Sequence, residues 1–193
     1  MAAAEARRDP ARFAAVTAPG GAAVLALLPL RGGERALVVG DRWGRLAIPL
    51  ARRAAVCALL PSAAEAALLA CIAAQEGALL TTCAGALAAP PLADGCFDLV
   101  LLLDAVADLR TAAALLAANG CCYATGDSLA ALRASADDAG LVPSHEYVCV
   151  PDANAPRRIV PLALVDPPPD ERADGGGAAT PTFALVLRRP AAP

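Results

Sequence analysis

Residues 34–53 read ERALVVGDRWGRLAIPLARR, and the reading of this stretch decides the fold. Ala36 to Val39 is a short apolar run closed by Gly40, the pattern of a buried strand. Gly40 and Gly44 bracket a turn, and from about Gly44 to Arg53 the residues Leu46, Ile48 and Leu50 carry a helical spacing. Strand, glycine turn and helix in succession open a parallel α/β sheet. In such sheets the first turn faces the crevice where nucleotide-like ligands meet free N–H groups and the positive end of a helix dipole.

The same alternation continues downstream. Val56 to Leu60 is a second apolar run, closed by Pro61 and Ser62. Ser62 caps a helix predicted from Ala63 to Gln75, with Glu65 at the third helical position completing a capping-box pattern, and Gly77 ends it. Leu79 to Cys83 is a third strand with Thr-rich β character. In PPLADGCFDLVLLLDAVADL, Asp94-Gly95 makes a turn, and the unbroken run Leu99 to Leu103 suits a central strand buried on both faces. Thr111 is a cap for a helix through Ala118, which Asn119-Gly120 stops. Cys121 to Thr125 is the fifth strand, and Asp127 or Ser128 caps a helix through Ala139.

Beyond Gly140 the pattern changes. His145 to Val150 is a strand, Arg158 to Val165 is extended, and Thr182 to Arg188 is a last strand. Between them, residues 166–180 are rich in Pro, Gly and acids, a composition that predicts a disordered insertion. The expected architecture is therefore α/β: a doubly wound, mostly parallel sheet of about seven strands with a C-terminal antiparallel hairpin. Residues 1–33 are read as a tail with a short helix from Ala22 to Leu28, and residues 34–193 as the folded domain.

Composition narrows the function classes. The chain has 193 residues, enough for one full core, and 58% of them are hydrophobic, while only 3% are aromatic. The core is expected to be aliphatic and rich in alanine. A net charge of −3 argues against a broad electrostatic footprint for nucleic acid. The longest low-charge stretch, Ala54 to Ala74, is broken by Pro61, Ser62 and Glu65, so no membrane span is expected. The seven cysteines show no metal-ligand spacing and are accompanied by one histidine, so no metal is expected. They are read as buried reduced thiols of a cytoplasmic protein, although the Ala- and Arg-rich residues 1–16 leave an organelle-targeting role open.

The order and spacing of ALVVGDRWGRLAIPLA and PLADGCFDLVLLLDAV resemble those of class I S-adenosylmethionine-dependent methyltransferases, over roughly Glu34 to Arg189. The resemblance implies a Rossmann-like sheet, S-adenosylmethionine as cofactor, and cofactor contacts from the glycine turn and the strand ends. It places Gly40, Asp41, Gly44 and Asp104 at or beside the cofactor. It also implies an acid two residues before the first glycine, a glycine in the middle of the turn, an acid ending the second strand and an Asp after the third. This chain has Val38, Arg42, Leu60 and Ala86 there. It reads as a degenerate member whose binding of S-adenosylmethionine is weakened and whose surviving contacts are vestigial or rearranged.

Two functions follow from different classes. One is a non-catalytic partner or scaffold, joined to another protein or to a second copy of itself. The other is an active methyltransferase in which Asp41, Asp104 and backbone groups take over the site. Because methyl transfer mainly needs alignment and a dry pocket, the lack of an obvious catalytic side chain does not separate the two. A nucleotide-type binder using Arg42 and Arg45 is a third reading. His145 precedes the sixth strand, away from the usual site, and Cys121 and Cys122 must point to opposite faces of one strand. Trp43 is a lid or interface anchor, and Pro156-Arg157-Arg158 is an acid-binding or solvated pair of arginines.

Overall fold

The computed structural model describes residues 20–103, 108–150, 158–165 and 182–191. The elements are α1 (Gly20–Leu27), β1 (Arg35–Val39), α2 (Ala47–Leu50), β2 (Ala55–Leu60), α3 (Ala63–Gln75), β3 (Thr81–Ala84) and β4 (Phe97–Leu102). After these come α4 (Leu109–Leu115), β5 (Leu116–Gly126), α5 (Leu129–Asp138), β6 (Val142–Val150), β7 (Arg158–Pro161), a single 3-10 turn (Leu162–Leu164) and β8 (Thr182–Arg188). The expected insertion at residues 166–180, the N-terminal 19 residues, Asp104, Pro156 and Arg157 lie outside the described residues.

One sheet runs through the protein in the order β3-β2-β1-β4-β5-β8-β6-β7. The first five strands are mutually parallel, and β8 inserts antiparallel between β5 and β6. The α/β fold class, the mostly parallel sheet and the antiparallel C-terminal strands therefore stand as expected. Among the described residues the strand count is eight rather than about seven because β7, four residues long and ending in Pro161, pairs with β6 at the outer edge. A short strand carrying proline is suited to an edge, where a missing N–H leaves no ladder bond broken.

Side-chain alternation divides the core into two apolar layers, one on each face. Val38, Ala58, Leu60, Leu101, Cys121 and Tyr123 belong to one; Leu37, Leu59, Val100, Leu102, Cys122 and Ala124 belong to the other. The run at β4 is buried throughout its last four residues because helices cover both its faces. Ser62 and Ser128 cap α3 and α5, each accepting from the backbone N–H three residues on. Helix α4 instead starts on Asp108, which accepts from the backbone N–H groups of Arg110 and Thr111 and from the Thr111 hydroxyl. It ends at Leu115, three residues sooner than its composition suggests, because Leu116 goes extended to pair with Phe97.

At the N-terminal ends of the strands, Asp98 accepts from Arg35 Nε and Nη2, both at 3.1 Å, and from the Arg35 backbone N–H at 2.9 Å. This fork ties β1 to β4. No helix among the described residues is long and apolar enough to cross a membrane.

Hydrogen bonds from Arg35 hold the Asp98 carboxyl below its ordinary value, so the stabilisation is complete above the unfolded-state pKa and lost as pH falls through the folded one. Urea denaturation between roughly pH 6 and pH 2 should show a shallower acid loss in Asp98→Asn than in the parent. Coincident pH slopes in the two proteins would contradict the assignment.

Candidate functional site

The chain runs from β1 to β2 and β3 on one side, then from β4 to β5 on the other, so the strand order reverses between β1 and β4. Open α/β sheets bind ligands at this reversal, outside the C-terminal strand ends. Gly40 occupies that position. Its N–H donates to Leu59 O at 3.1 Å, and its φ of +83° is one that only glycine adopts freely. A Cβ built there would meet the Leu103 carbonyl oxygen at 3.0 Å. The turn thus crosses directly over the end of β4.

Asp41 is nearly enclosed, with 5% of its surface exposed. Its carboxylate accepts three backbone hydrogen bonds, from Arg45 at 2.9 Å and from Leu46 and Ala47 at 2.8 Å each. These are donors that the first turn of α2 would otherwise leave unpaired. The sequence does carry the signal, an Asp before an apolar-periodic segment, although Gly44 appears there as the helix start. Helix α2 is confined to Ala47–Leu50 because Gly44 has φ +72° and cannot belong to it. A Cβ on Gly44 would lie 2.4 Å from Ile48 Cδ1 and 2.9 Å from Leu69 Cδ1, so this glycine allows α2 and α3 to close against the turn.

Arg42, in the middle of the turn, lays its guanidinium over the Trp43 ring, 4.8 Å from the centroid. It also faces Glu65 on α3, with Nη1 to Oε1 at 3.7 Å. Arg42 Nε and Glu65 Oε2 are both shielded from solvent with no hydrogen-bond partner. Glu65 therefore does not turn back to complete the capping box expected with Ser62. This contact was hidden in the sequence, where an acid at the third helical position already has a local explanation.

The remaining positions implied by the resemblance are apolar in space as in sequence. Val38 and Leu60 have no exposed surface, and Ala86 is exposed in the loop after β3. Gly40, Asp41 and Gly44 are brought together in one turn, with Asp104 outside the described residues. His145 lies on β6, three strands removed from β4, where its Nδ1 approaches Ser144 Oγ at 3.2 Å and its ring stacks on Tyr147. Cys121 and Cys122 are both buried, on opposite faces. Burial raises their thiols, Cys121 to about 11, and the Cys57 thiol is pushed up to about 12 by burial and by Cys83 beside it.

No family model matches this sequence, and no curated protein matches it. The similarity lies in three dimensions. A SAM-dependent methyltransferase of Methanosarcina mazei superposes with a TM-score of 0.65 at 9% identity, covering 88% of this chain and 97% of the other. The [4+2]-cyclase SpnF gives 0.67 at 16% identity, over 89% and 80% of the two chains. A chain solved in complex with the Haloferax volcanii Trm112 methyltransferase activator gives 0.61 at 18% identity, over 86% and 87%. The fold is that of class I methyltransferases. In this methyltransferase-like fold Gly40 lies where the strand order reverses, and the antiparallel β8 lies between β5 and β6.

Removing the Asp41 carboxylate leaves three backbone donors of α2 unpaired. Asp41→Ala should lower unfolding free energy by about 2–4 kcal/mol, with Asp41→Asn recovering part of it, in urea denaturation. A loss below about 1 kcal/mol would show that the cap is dispensable. Gly44→Ala should cost about 2–3 kcal/mol in the same assay, from the positive φ and the crowding at Ile48.

Proposed function

We propose that this is a methyltransferase-like protein with a degraded S-adenosylmethionine site, acting as a non-catalytic partner or scaffold for another protein. The observation that carries the reading is the use of Asp41. It is the one acid within the turn Gly40–Gly44, and its carboxylate is already committed to three backbone N–H groups.

The surrounding residues support the same reading. Val38 and Leu60 offer no acceptor for a cofactor hydroxyl or amine, and neither does Ala86. Arg42 places a bulky cation where close backbone approach to a ligand needs a small residue. Missing hydrogen bonds to charged groups at about 1.5–3 kcal/mol each, taken over three positions, weaken binding by roughly three to six orders of magnitude. A protein partner is in keeping with the neighbour that is held by a methyltransferase activator. The free cysteines of the described residues, mostly buried or half-buried, suit a reducing cytoplasm.

Isothermal titration with S-adenosylmethionine is the direct test. No saturable heat is expected up to millimolar ligand. A micromolar dissociation constant would overturn the reading and favour an active enzyme with a rearranged site. In that case Asp104→Ala should reduce the measured affinity.

A further inference from the structure

Away from the glycine turn, two cysteines on neighbouring strands have a defined mutual geometry. Cys57 on β2 and Cys83 on β3 bring their Sγ atoms to 3.6 Å, neither is in a disulfide, and the Cys83 thiol also donates to the Ala58 carbonyl at 3.6 Å. The strand register accounts for the contact. Cys57 pairs with Thr81 and Leu59 with Cys83, so the two cysteines are diagonal neighbours on one face of a parallel ladder. Both pack against the same apolar layer.

With strands about 4.8 Å apart and a rise of about 3.3 Å per residue, diagonal neighbours on parallel strands have Cα atoms about 8 Å apart. A disulfide needs about 4.4–6.8 Å, so a direct S–S bond would require the strands to shift. An ion between the sulfurs needs no such shift. With metal–thiolate bonds of about 2.3 Å, one ion can join sulfurs up to about 4.6 Å apart, so the 3.6 Å pair would have to widen by side-chain rotation for a linear arrangement.

The ligand set selects the kind of ion. Among the described residues no group of three or more His, Cys, Asp or Glu side chains could hold a metal, so a four-coordinate zinc site or an oxygen-lined cation site has no ligands here. Two thiolates suit a soft ion that is satisfied by two sulfurs, and copper(I) is the first-row ion of that kind. Cys57, though not Cys83, lines a surface cleft of about 640 Å³ together with Thr81, Cys96 and Phe97, so an ion reaches the pair from the Cys57 side.

We propose that Cys57 and Cys83 form a two-coordinate dithiolate site for copper(I). Each thiol loses its proton and donates a sulfur lone pair, giving a singly negative bis-thiolate complex and two released protons with no change of oxidation state. Because β3 is the outermost strand on its side among the described residues, the ion would pin the sheet's edge two residues before Gly85. This inference is independent of how the glycine turn functions.

The test is an anaerobic copper(I) titration of the full chain in competition with a chromogenic copper(I) chelator. One ion per chain is expected, with affinity at least 100-fold weaker in Cys57→Ser and in Cys83→Ser and unchanged in Cys71→Ser and Cys96→Ser. Circular dichroism checks that each variant folds, and Cys57→Ala and Cys83→Ala replace any serine variant that does not. X-ray absorption at the copper edge should show two sulfur neighbours. Failure to hold copper(I) against the chelator, or loss that follows Cys71 or Cys96 instead, overturns the site.

Discussion

The geometry of the β1–α2 turn depends on one carboxylate. A helix of four residues has no intrahelical partners for most of its N–H groups, and by itself it could not persist in water. Asp41 supplies three acceptor contacts from two oxygens, within a site closed to solvent. With α2 fixed in this way, Gly44 packs under Ile48 and Leu69, and Arg42 projects toward Glu65 and Trp43. The β1–α2–β2 crossover and the approach of α3 both follow. A charged acceptor held by three buried donors is therefore a structural part and is poorly placed to serve a ligand as well.

Most of the sheet was legible because its strands are bounded by unambiguous punctuation. Leu99 to Leu103 reads as central from its unbroken apolarity, and β4 does lie between β1 and β5. Thr182 to Arg188 needed no adjustment. The errors share a cause. Residues Leu116 to Ala118 have helical composition, yet they are drawn into β5 by pairing with Phe97 across a register shift, a tertiary contact that local propensity cannot register. Thr111 reads as the cap from sequence, whereas the structure places the cap at Asp108, three residues earlier, with the threonine hydroxyl donating to the aspartate.

The candidate site was half legible. The apolar identities of Val38, Leu60 and Ala86 are evident as soon as the strands are aligned, because they occupy positions defined by strand ends. What Asp41 and Glu65 do was not evident. Glu65 lies 23 residues beyond Arg42 in sequence and meets it only after α3 folds back over the turn. An Asp beside two glycines can serve equally as a ligand contact or as a helix cap, and only the positions of three backbone N–H groups decide between them.

The coincidence of these changes has a physical rationale under the proposed reading. An acid at the end of a buried strand is costly to the empty protein, since its charge is partly desolvated and its lone pairs lack donors. A bound cofactor offsets that cost with its hydroxyls and amine. Without a cofactor, valine at 38 and leucine at 60 are the more stable choices, and both are fully enclosed in the same apolar layer. Arg42 adds to this by laying its guanidinium over the Trp43 ring in the middle of the turn. Under that reading each apolar residue stabilises the unliganded fold at the expense of the pocket, so losing one anchor makes the loss of the next less costly.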